Sequence, residues 1–420
     1  MTTTNSRLLP LAAILQAEQR LKSVIHRTPL LKDAHLSAKY DCEVWLKRED
    51  LQVVRSYKLR GAYHRMSLLS ESEQANGIIC ASAGNHAQGV AYACHALSIP
   101  GKIFMPETTP NQKVRKVQQF GQQQVEVILG GDTFDDAYQT AVQVCEAEGK
   151  IFIHPFDDPA IIAGQGTVGI EILADCPAEI DWVFMPVGGG GLSAGVGSYF
   201  KRLSSPTRLI GVEPDGAPAM YEAFRQNQPV HLAQINKFVD GAAVQQVGQH
   251  TFPICQEALE EIALVSEGKV CSTILELYDE EAIIVEPAGA LSVAVLDQYR
   301  EQIRGKQVVC IISGGNNDIR RMEEIKERAL LYHGLKHYFI IRFPQRAGAL
   351  RDFLVNVLGP TDDITHFEYT KTNNREAGPA LVGLEVRSEA DYEALIQRMK
   401  THQINYELVN DKPMLFHLLV

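Results

Sequence analysis

The sequence predicts an α/β fold: two lobes built on parallel sheets, followed by a small α+β unit of ferredoxin-like order. Three observations carry this reading. From about residue 40 to residue 330, short apolar runs alternate with stretches of helical spacing, the pattern of parallel sheets covered on both faces. There are too many of these runs for one ordinary sheet, so two lobes with a cleft between them are expected. Near residue 320 the character changes, and the remainder reads as strand, helix, strand, strand, helix, strand.

The elements follow in order. The N-terminal stretch MTTTNSRLLPLAAILQAEQRL has a short apolar run and no small-residue cleavage site, so it reads as an amphipathic helix rather than a signal peptide. CEVWLKRED reads as a strand and Arg60 to Leu69 as a helix. GIICAS is a buried strand and Asn85 to Leu97 a helix. KIFMPE, VEVILG, IFIHPF, WVFMPVG, RLIGVEP and VVCIISGG are further strands. Residues 1–330 would form one domain, with a small lobe of about 55–155 inserted in a larger one. RRMEEIKERALLYHG reads as a charged connector helix. Residues 335–420 would form the second domain. KHYFIIRF is its first strand and RAGALRDFLVNVLG its first helix. DITHFEYTKT and ALVGLEVRS follow as strands joined by the polar loop NNREAGP. ADYEALIQRMKTH is the second helix, with a strand or two after it.

Composition narrows the function. The chain has 420 residues, 45% of them hydrophobic, which is enough for a large core and favours two or three domains. A formal net charge of −11 argues against general nucleic-acid or anionic-membrane binding, because phosphate contacts need a basic face. No uncharged apolar stretch reaches membrane-span length; the longest, Ile283 to Leu296, is broken by Glu286 and Pro287. The eight cysteines form no CxxC pair, so neither zinc nor a disulfide framework is expected. Buried thiols in a reducing cytoplasm are the expectation.

Four loops carry candidate chemistry. Lys58 sits in Ser56-Tyr57-Lys58-Leu59-Arg60-Gly61-Ala62, at a helix start. A lysine nucleophile needs a setting that lowers its pKa, and a buried cleft would supply one. Taken alone, a lysine flanked by Arg55 and Arg60 is more often a solvated surface residue. Ser82-Ala83-Gly84-Asn85-His86-Ala87-Gln88-Gly89 follows the strand GIICAS and opens a helix. Its small residues and free helix-start N–H groups suit an anion such as a carboxylate, although an ordinary N-cap turn would look the same. Gly188-Gly189-Gly190-Gly191-Leu192 joins the strand WVFMPV to a helix, making a backbone cup for a phosphate. It is neither a dinucleotide fingerprint nor a P-loop, so a mononucleotide-like phosphate fits better. Ser313-Gly314-Gly315-Asn316 follows VVCIIS, placing a hydroxyl at the strand end where open α/β sheets bind ligands.

Taken together, SYKLRGAY, SAGNHAQGVA, GGGGL and SGGN resemble the fold-type II family of pyridoxal-phosphate (PLP) enzymes, which share the tryptophan synthase β-like fold. The match is nearest to the threonine dehydratases (threonine ammonia-lyases). FPQRAGALRDFL, residues 343–354, resembles the start of their ACT-like regulatory domain, and one such domain fits the remaining length. The resemblance implies that Lys58 carries PLP as a Schiff base and acts as the catalytic base. It implies that Gly188, Gly189, Gly190, Gly191 and Leu192 hold the phosphate, that Asn85 meets the ring 3′-oxygen, and that Ser313 meets the pyridine nitrogen. Ser82, Asn85 and His86 would hold the substrate carboxylate, with His86 equally able to be structural. Glu286, in EPAGA, would border the cofactor or simply start a helix.

The activity implied is α,β-elimination of water from L-threonine, giving 2-oxobutanoate and ammonia on the way to isoleucine, with L-serine as a second substrate. A serine dehydratase or a β-replacement enzyme of the same fold is the alternative, and a catalytically inactive amino-acid sensor a more distant one. The ACT-like domain implies isoleucine or valine as effector, and a homo-oligomer, tetramer or dimer, is expected. Two departures from the related serine racemases stand out. Ala83 replaces their second loop serine and cannot shuttle a proton. Glu213-Pro214 is followed by Ala217 and Ala219, without the last carboxylate of their divalent-cation site, so no structural divalent metal is expected. A monovalent ion at Glu213 stays open.

Overall fold

A computed structural model describes residues 6–369, 377–410 and 412. The chain divides into two compact units, Met1–Asp318 and Ile319–Val420. In the first, strands β1 (Leu30–Lys32) and β2 (Glu43–Arg48) lead into a small lobe containing β3 (Ile78–Ala81), β4 (Gly101–Met105), β5 (Val125–Leu129) and β6 (Ile151–Phe152). The chain then returns through β7 (Trp182–Pro186), β8 (Arg208–Pro214), β9 (Glu261–Val265) and β10 (Gln307–Ile312). The large sheet has the order β1-β2-β10-β7-β8-β9, and the small one β5-β4-β3-β6. Every pairing in both is parallel except that of β1 with β2.

Strand β3 shows why the apolar runs are continuous. Ile78 and Cys80 pack into one core of the small lobe, and Ile79 and Ala81 into another on the opposite face. A parallel strand covered by helices on both sides needs apolar residues at every position. Two strands were not evident from the sequence: β1, only three residues long, and β9, EIALV. IFIHPF contributes only Ile151–Phe152 as strand.

The helix carrying Lys58 spans Lys58–Met66 rather than Arg60 to Leu69. Its N-cap position is Tyr57, with helical backbone angles and no side-chain cap, so the usual Ser, Thr, Asp or Asn start signal is missing. Residues beyond it break to a capping box of Ser70 and Glu73, which starts a separate helix, Glu71–Asn76. Lys58–Met66 lies against the long helix Pro159–Asp175 at backbone distance. A Cβ on Gly61 would stand 2.8 Å from Ile161 O, and one on Gly164 2.6 Å from Arg60 O. Glycine on both sides is what permits this approach, and the approach fixes the height of Lys58.

The second unit contains β11 (Lys336–Pro344), β12 (Asp363–Tyr369), β13 (Ala377–Glu385) and β14 (Asn405–Leu408), in the antiparallel order β12-β13-β11-β14. With helices Ala349–Asn356 and Glu389–Thr401 this is the ferredoxin-like arrangement. Phe339, Ile341, Val382, Leu384, Leu395 and Met399 form its core. Most of the loop NNREAGP and residues 413–420 lie outside the described residues. The charged helix Met322–Tyr332 groups with this unit. Glu327 accounts for that, accepting from Lys336 Nζ at 2.9 Å and from Tyr338 Oη at 2.5 Å on β11.

Candidate active site

The site loops leave the C-terminal ends of β2, β3, β6, β7 and β10, the edge at which open α/β sheets bind ligands. The lysine loop is stitched to the loop after β10. Ser56 bridges Gly314, Tyr57 N donates to Ser313 O at 3.2 Å, and Gly315 N donates to Arg55 O at 2.9 Å. Lys58 Nζ donates to Pro155 O at 3.0 Å in the loop after β6. Burial pushes its amine down to about 8, against the opposing pull of Glu286. An amine of that kind is available as a nucleophile or base near neutral pH.

The loop after β3 meets the large lobe through Asn85. Asn85 Nδ2 donates to Glu286 Oε1 at 2.6 Å, and Asn316 Nδ2 donates to Asn85 Oδ1 at 2.7 Å. A carboxamide nitrogen has two hydrogens, so Asn85 keeps one for a ligand oxygen. Burial pushes the Glu286 carboxyl up to about 7, with Asp240 adding to the effect. Ser82 accepts from Gly84 N at 3.2 Å and shapes the turn. His86 is buried, and its Nε2 donates to Ile153 O at 2.9 Å. Burial, with Lys58 nearby, pushes it down to about 3, so it is neutral and anchors the loop to the chain just after β6.

The glycine loop is cradled by neighbours. A Cβ on Gly189 would run into the Phe156 ring, one on Gly191 would stand 3.1 Å from Phe156 Cβ, and one on Gly188 3.1 Å from Ala242. Gly190 has φ of 91° and ends the turn. The helix Gly191–Leu203 starts there; its first described bond runs from Ala194 N to Gly190 O at 2.8 Å, so the amides before it are not used by the helix. Thr251 Oγ1 donates to Gly189 O at 2.6 Å. Asp157 holds that threonine in place, accepting from the backbone of Gln249, His250 and Thr251 at 2.8, 2.8 and 3.1 Å. Because Phe156 follows Pro155, one short loop joins the glycine cradle to Lys58.

Phe156, Asp157 and Thr251 lie in no motif of the sequence. The available signal was the position of Phe156 and Asp157, which follow β6 as the other site loops follow their strands. Glu213, outside this cluster, is buried and accepts from Met220 N and Tyr221 N, both at 2.8 Å, and burial pushes it up to about 8. Among the described residues no group of three or more His, Cys, Asp or Glu is arranged to hold a metal ion.

These residues fit a PLP-sized group. The glycine cradle admits no side chain, and it ends at a helix start whose amides suit a phosphate. The buried Ser193 Oγ, in the first turn of that helix, has no hydrogen-bond partner among the described residues. A lysine with a depressed pKa and the free N–H of Asn85 supply the other contacts.

Comparison with known proteins agrees with this. The family profile described as pyridoxal-phosphate dependent enzyme matches residues 21–314, and that of the C-terminal regulatory domain of threonine dehydratase matches residues 327–419. The chain is 57% identical over 413 residues to the biosynthetic L-threonine dehydratase IlvA of Bacillus subtilis (strain 168), covering 98% of each. Among solved structures, the processed form of threonine deaminase isoform 2 from Solanum lycopersicum aligns with a TM-score of 0.72 at 40% identity, over 77% of this chain and 96% of that one. The T.th. threonine deaminase aligns with a TM-score of 0.69 at 35% identity, over 74% of this chain and 99% of that one. The chain belongs to the pyridoxal-phosphate-dependent enzymes, in their biosynthetic threonine dehydratase family.

Proposed function

We propose that this chain converts L-threonine to 2-oxobutanoate and ammonia with PLP as cofactor, at the step that commits carbon to isoleucine. The observation that carries the reading is the meeting of Lys58, with its lowered pKa, and the glycine cradle through the single loop Pro155–Phe156. Bound PLP supplies the electron sink that makes a Cα–H bond acidic.

The chain's own groups do the rest. The amides of Gly188, Gly189, Gly190, Gly191 and Leu192 would bind the phosphate. The spare N–H of Asn85 would meet the ring oxygen, and the Ser313 hydroxyl the ring nitrogen. A hydroxyl there, unlike a carboxylate, does not strongly favour ring protonation. Ser82 and the helix start at Asn85 would hold the substrate carboxylate. His86, tied to Ile153 O, serves this loop as a support. Lys58 Nζ would take the Cα proton. L-Serine would react by the same path to pyruvate, because a difference of one methyl group is weakly discriminated, by about 10–200-fold at most.

In the second unit, isoleucine or valine would act as an inhibitor: the product leads to isoleucine, and the matched profile is that of a regulatory domain. Exposed Leu354 and Val355 on the helix Ala349–Asn356 support assembly with further copies of the chain. A cytoplasmic setting is supported by eight cysteines with no disulfide, seven of them buried. No helix among the described residues is long and apolar enough to cross a membrane.

The test is Lys58→Ala beside the wild type, reading cofactor absorbance and 2-oxobutanoate release from L-threonine. The wild type should turn over and the variant should lose several orders of magnitude. Comparable product from both, with PLP bound, would overturn the assignment.

A further inference from the structure

Four polar side chains form one hydrogen-bonded row across the cleft. Lys116 Nζ donates to Asn316 Oδ1 at 2.9 Å, Asn316 Nδ2 donates to Asn85 Oδ1 at 2.7 Å, and Asn85 Nδ2 donates to Glu286 Oε1 at 2.6 Å. Asn316 Nδ2 also donates to Val54 O at 2.9 Å. Lys116 and Asn85 belong to small-lobe helices, Asn111–Gly121 and Asn85–Leu97. Asn316 and Glu286 follow or precede large-lobe elements, so the row passes from lobe to lobe at every step. One turn away, Lys113 pairs with Asp240 at 2.7 Å and repeats the crossing.

The direction of the row matters for the chemistry. A carboxamide can be turned end for end at little steric cost, and its neighbours decide which end faces where. An ammonium group only donates and a carbonyl oxygen only accepts. Lys116 therefore requires the oxygen of Asn316, and Val54 O requires its nitrogen. Both demands set Asn316 the same way round. Its remaining N–H then requires the oxygen of Asn85, and Asn85 is left with its nitrogen toward Glu286 and the cleft. Glu286 alone would not enforce this, because a protonated carboxyl can donate as well as accept.

We propose that Lys116 and Asn316 are positioning residues for the reaction: they fix the Asn85 carboxamide so that it offers N–H, not C=O, to the cofactor. This rests on the proposed function, in which Asn85 meets the cofactor ring oxygen. Sequence motifs pointed to neither role. Asn316 stood only as the end of SGGN, and Lys116 in no motif.

The test uses the full-length enzyme loaded with PLP and three variants. Lys116→Met removes the end donor. Asn316→Asp presents only acceptors to Val54 O and to Asn85, so Asn85 must turn its nitrogen away from the cleft. Lys116→Arg keeps a donor. Three readouts are taken together: kcat and KM for L-threonine, the position and pH dependence of the visible band of the bound cofactor, and the melting temperature.

Lys116→Met should lower kcat about tenfold and Asn316→Asp about 100-fold, the scale of a misplaced contact. Both should move the visible band, with the melting temperature nearly unchanged, and Lys116→Arg should restore most of the rate. Wild-type kcat and an unmoved band in the first two variants would overturn the proposal. So would a rate loss without a band change, or one that Lys116→Arg shares in full and that tracks a fall in melting temperature. A wild type that binds no cofactor would fail the proposed function itself, and this inference with it; an active wild type with indifferent variants would fail the inference alone.

Discussion

Arg60 and Glu49 are joined by two parallel hydrogen bonds, Nε to Oε2 at 2.9 Å and Nη2 to Oε1 at 2.7 Å, with neither side chain exposed to solvent. The same guanidinium donates to Glu171 at 2.8 and 2.9 Å and to Thr167 Oγ1 at 3.2 Å. Lys47 Nζ completes the group, donating to Glu171 Oε2 and Thr28 O, both at 2.6 Å. Two cations and two carboxylates are thus neutralised inside the protein, two residues from Lys58. Arg60→Met should cost about 3–5 kcal/mol, because it leaves two buried carboxylates with one lysine between them. Arg60→Lys should lose much of this as well, since an ammonium cannot serve both carboxylates bidentately. Denaturant unfolding would measure both. A loss below about 1 kcal/mol for Arg60→Met would show that the site relaxes around the gap.

That cluster also marks where the sequence stops being legible. Arg55 and Arg60 made Lys58 look like a surface lysine, and only the fold reveals that Arg60 is fully enclosed. Strands such as β3 and β10 were readable because burial on both faces forces unbroken apolar runs. β1 was too short for any periodicity to register. The glycine cradle was readable because its requirement is local: four successive residues without side chains. Phe156, Asp157 and Thr251 were not, because Asp157 meets Thr251 across 94 positions of chain. Lys116 and Asn316 meet across 200, and nothing local distinguishes that lysine from Lys113.

Glu286 gives a pH signature. Burial holds its carboxyl at about 7, above the ordinary value of 4.5, with Asp240 adding and the Asn85 side chain opposing. The folded state therefore keeps a proton that the unfolded state has released. Stability from this group is complete below the unfolded pKa and is lost as pH rises through about 7. The span of the shift corresponds to a loss of at most about 3 kcal/mol. In cofactor-free protein the urea midpoint should fall between about pH 5 and about pH 8. Glu286→Gln, which can still accept from Asn85, should make that fall shallower and leave the part owed to Glu213, which burial also raises, to about 8. Parallel curves for the two proteins would remove Glu286 as the source.

Gly190 tests the cradle. Its φ of 91° is in the left-handed region, and a Cβ would stand 2.7 Å from Met220 Cε and 3.0 Å from Thr251 Oγ1. Thr251 holds Gly189 O, so the displacement would pass straight into the phosphate loop. Gly190→Ala should destabilise the protein by about 1–3 kcal/mol. It should also weaken PLP binding by about tenfold or more, equivalent to about 1.4 kcal/mol. Titration of apoenzyme with PLP checks this; unchanged affinity would mean that the phosphate sits elsewhere.

Regulation can be separated from turnover by a cut at the boundary between the two compact units. The second compact unit begins at Ile319, and the helix Met322–Tyr332 is bound to β11 through Glu327. A cut after Asp318 removes the unit whole. A cut after residue 330 would strand most of that helix without Lys336 and Tyr338. The protein ending at Asp318 should keep threonine turnover and lose its response to isoleucine and valine. The longer truncation should turn over as well but melt lower, with its helix left unpartnered. Inhibition of the full chain requires the effector to bind the less active state more tightly, by a coupling of about 1–3 kcal/mol, or an affinity ratio of about 5–150. By linkage, threonine should weaken isoleucine binding by the same factor, which calorimetry with and without a non-reacting threonine analogue would read. A full-length chain that neither binds isoleucine or valine nor changes its rate with them would end the regulatory reading. The lyase assignment would stand, because it draws on Lys58 and the cradle alone.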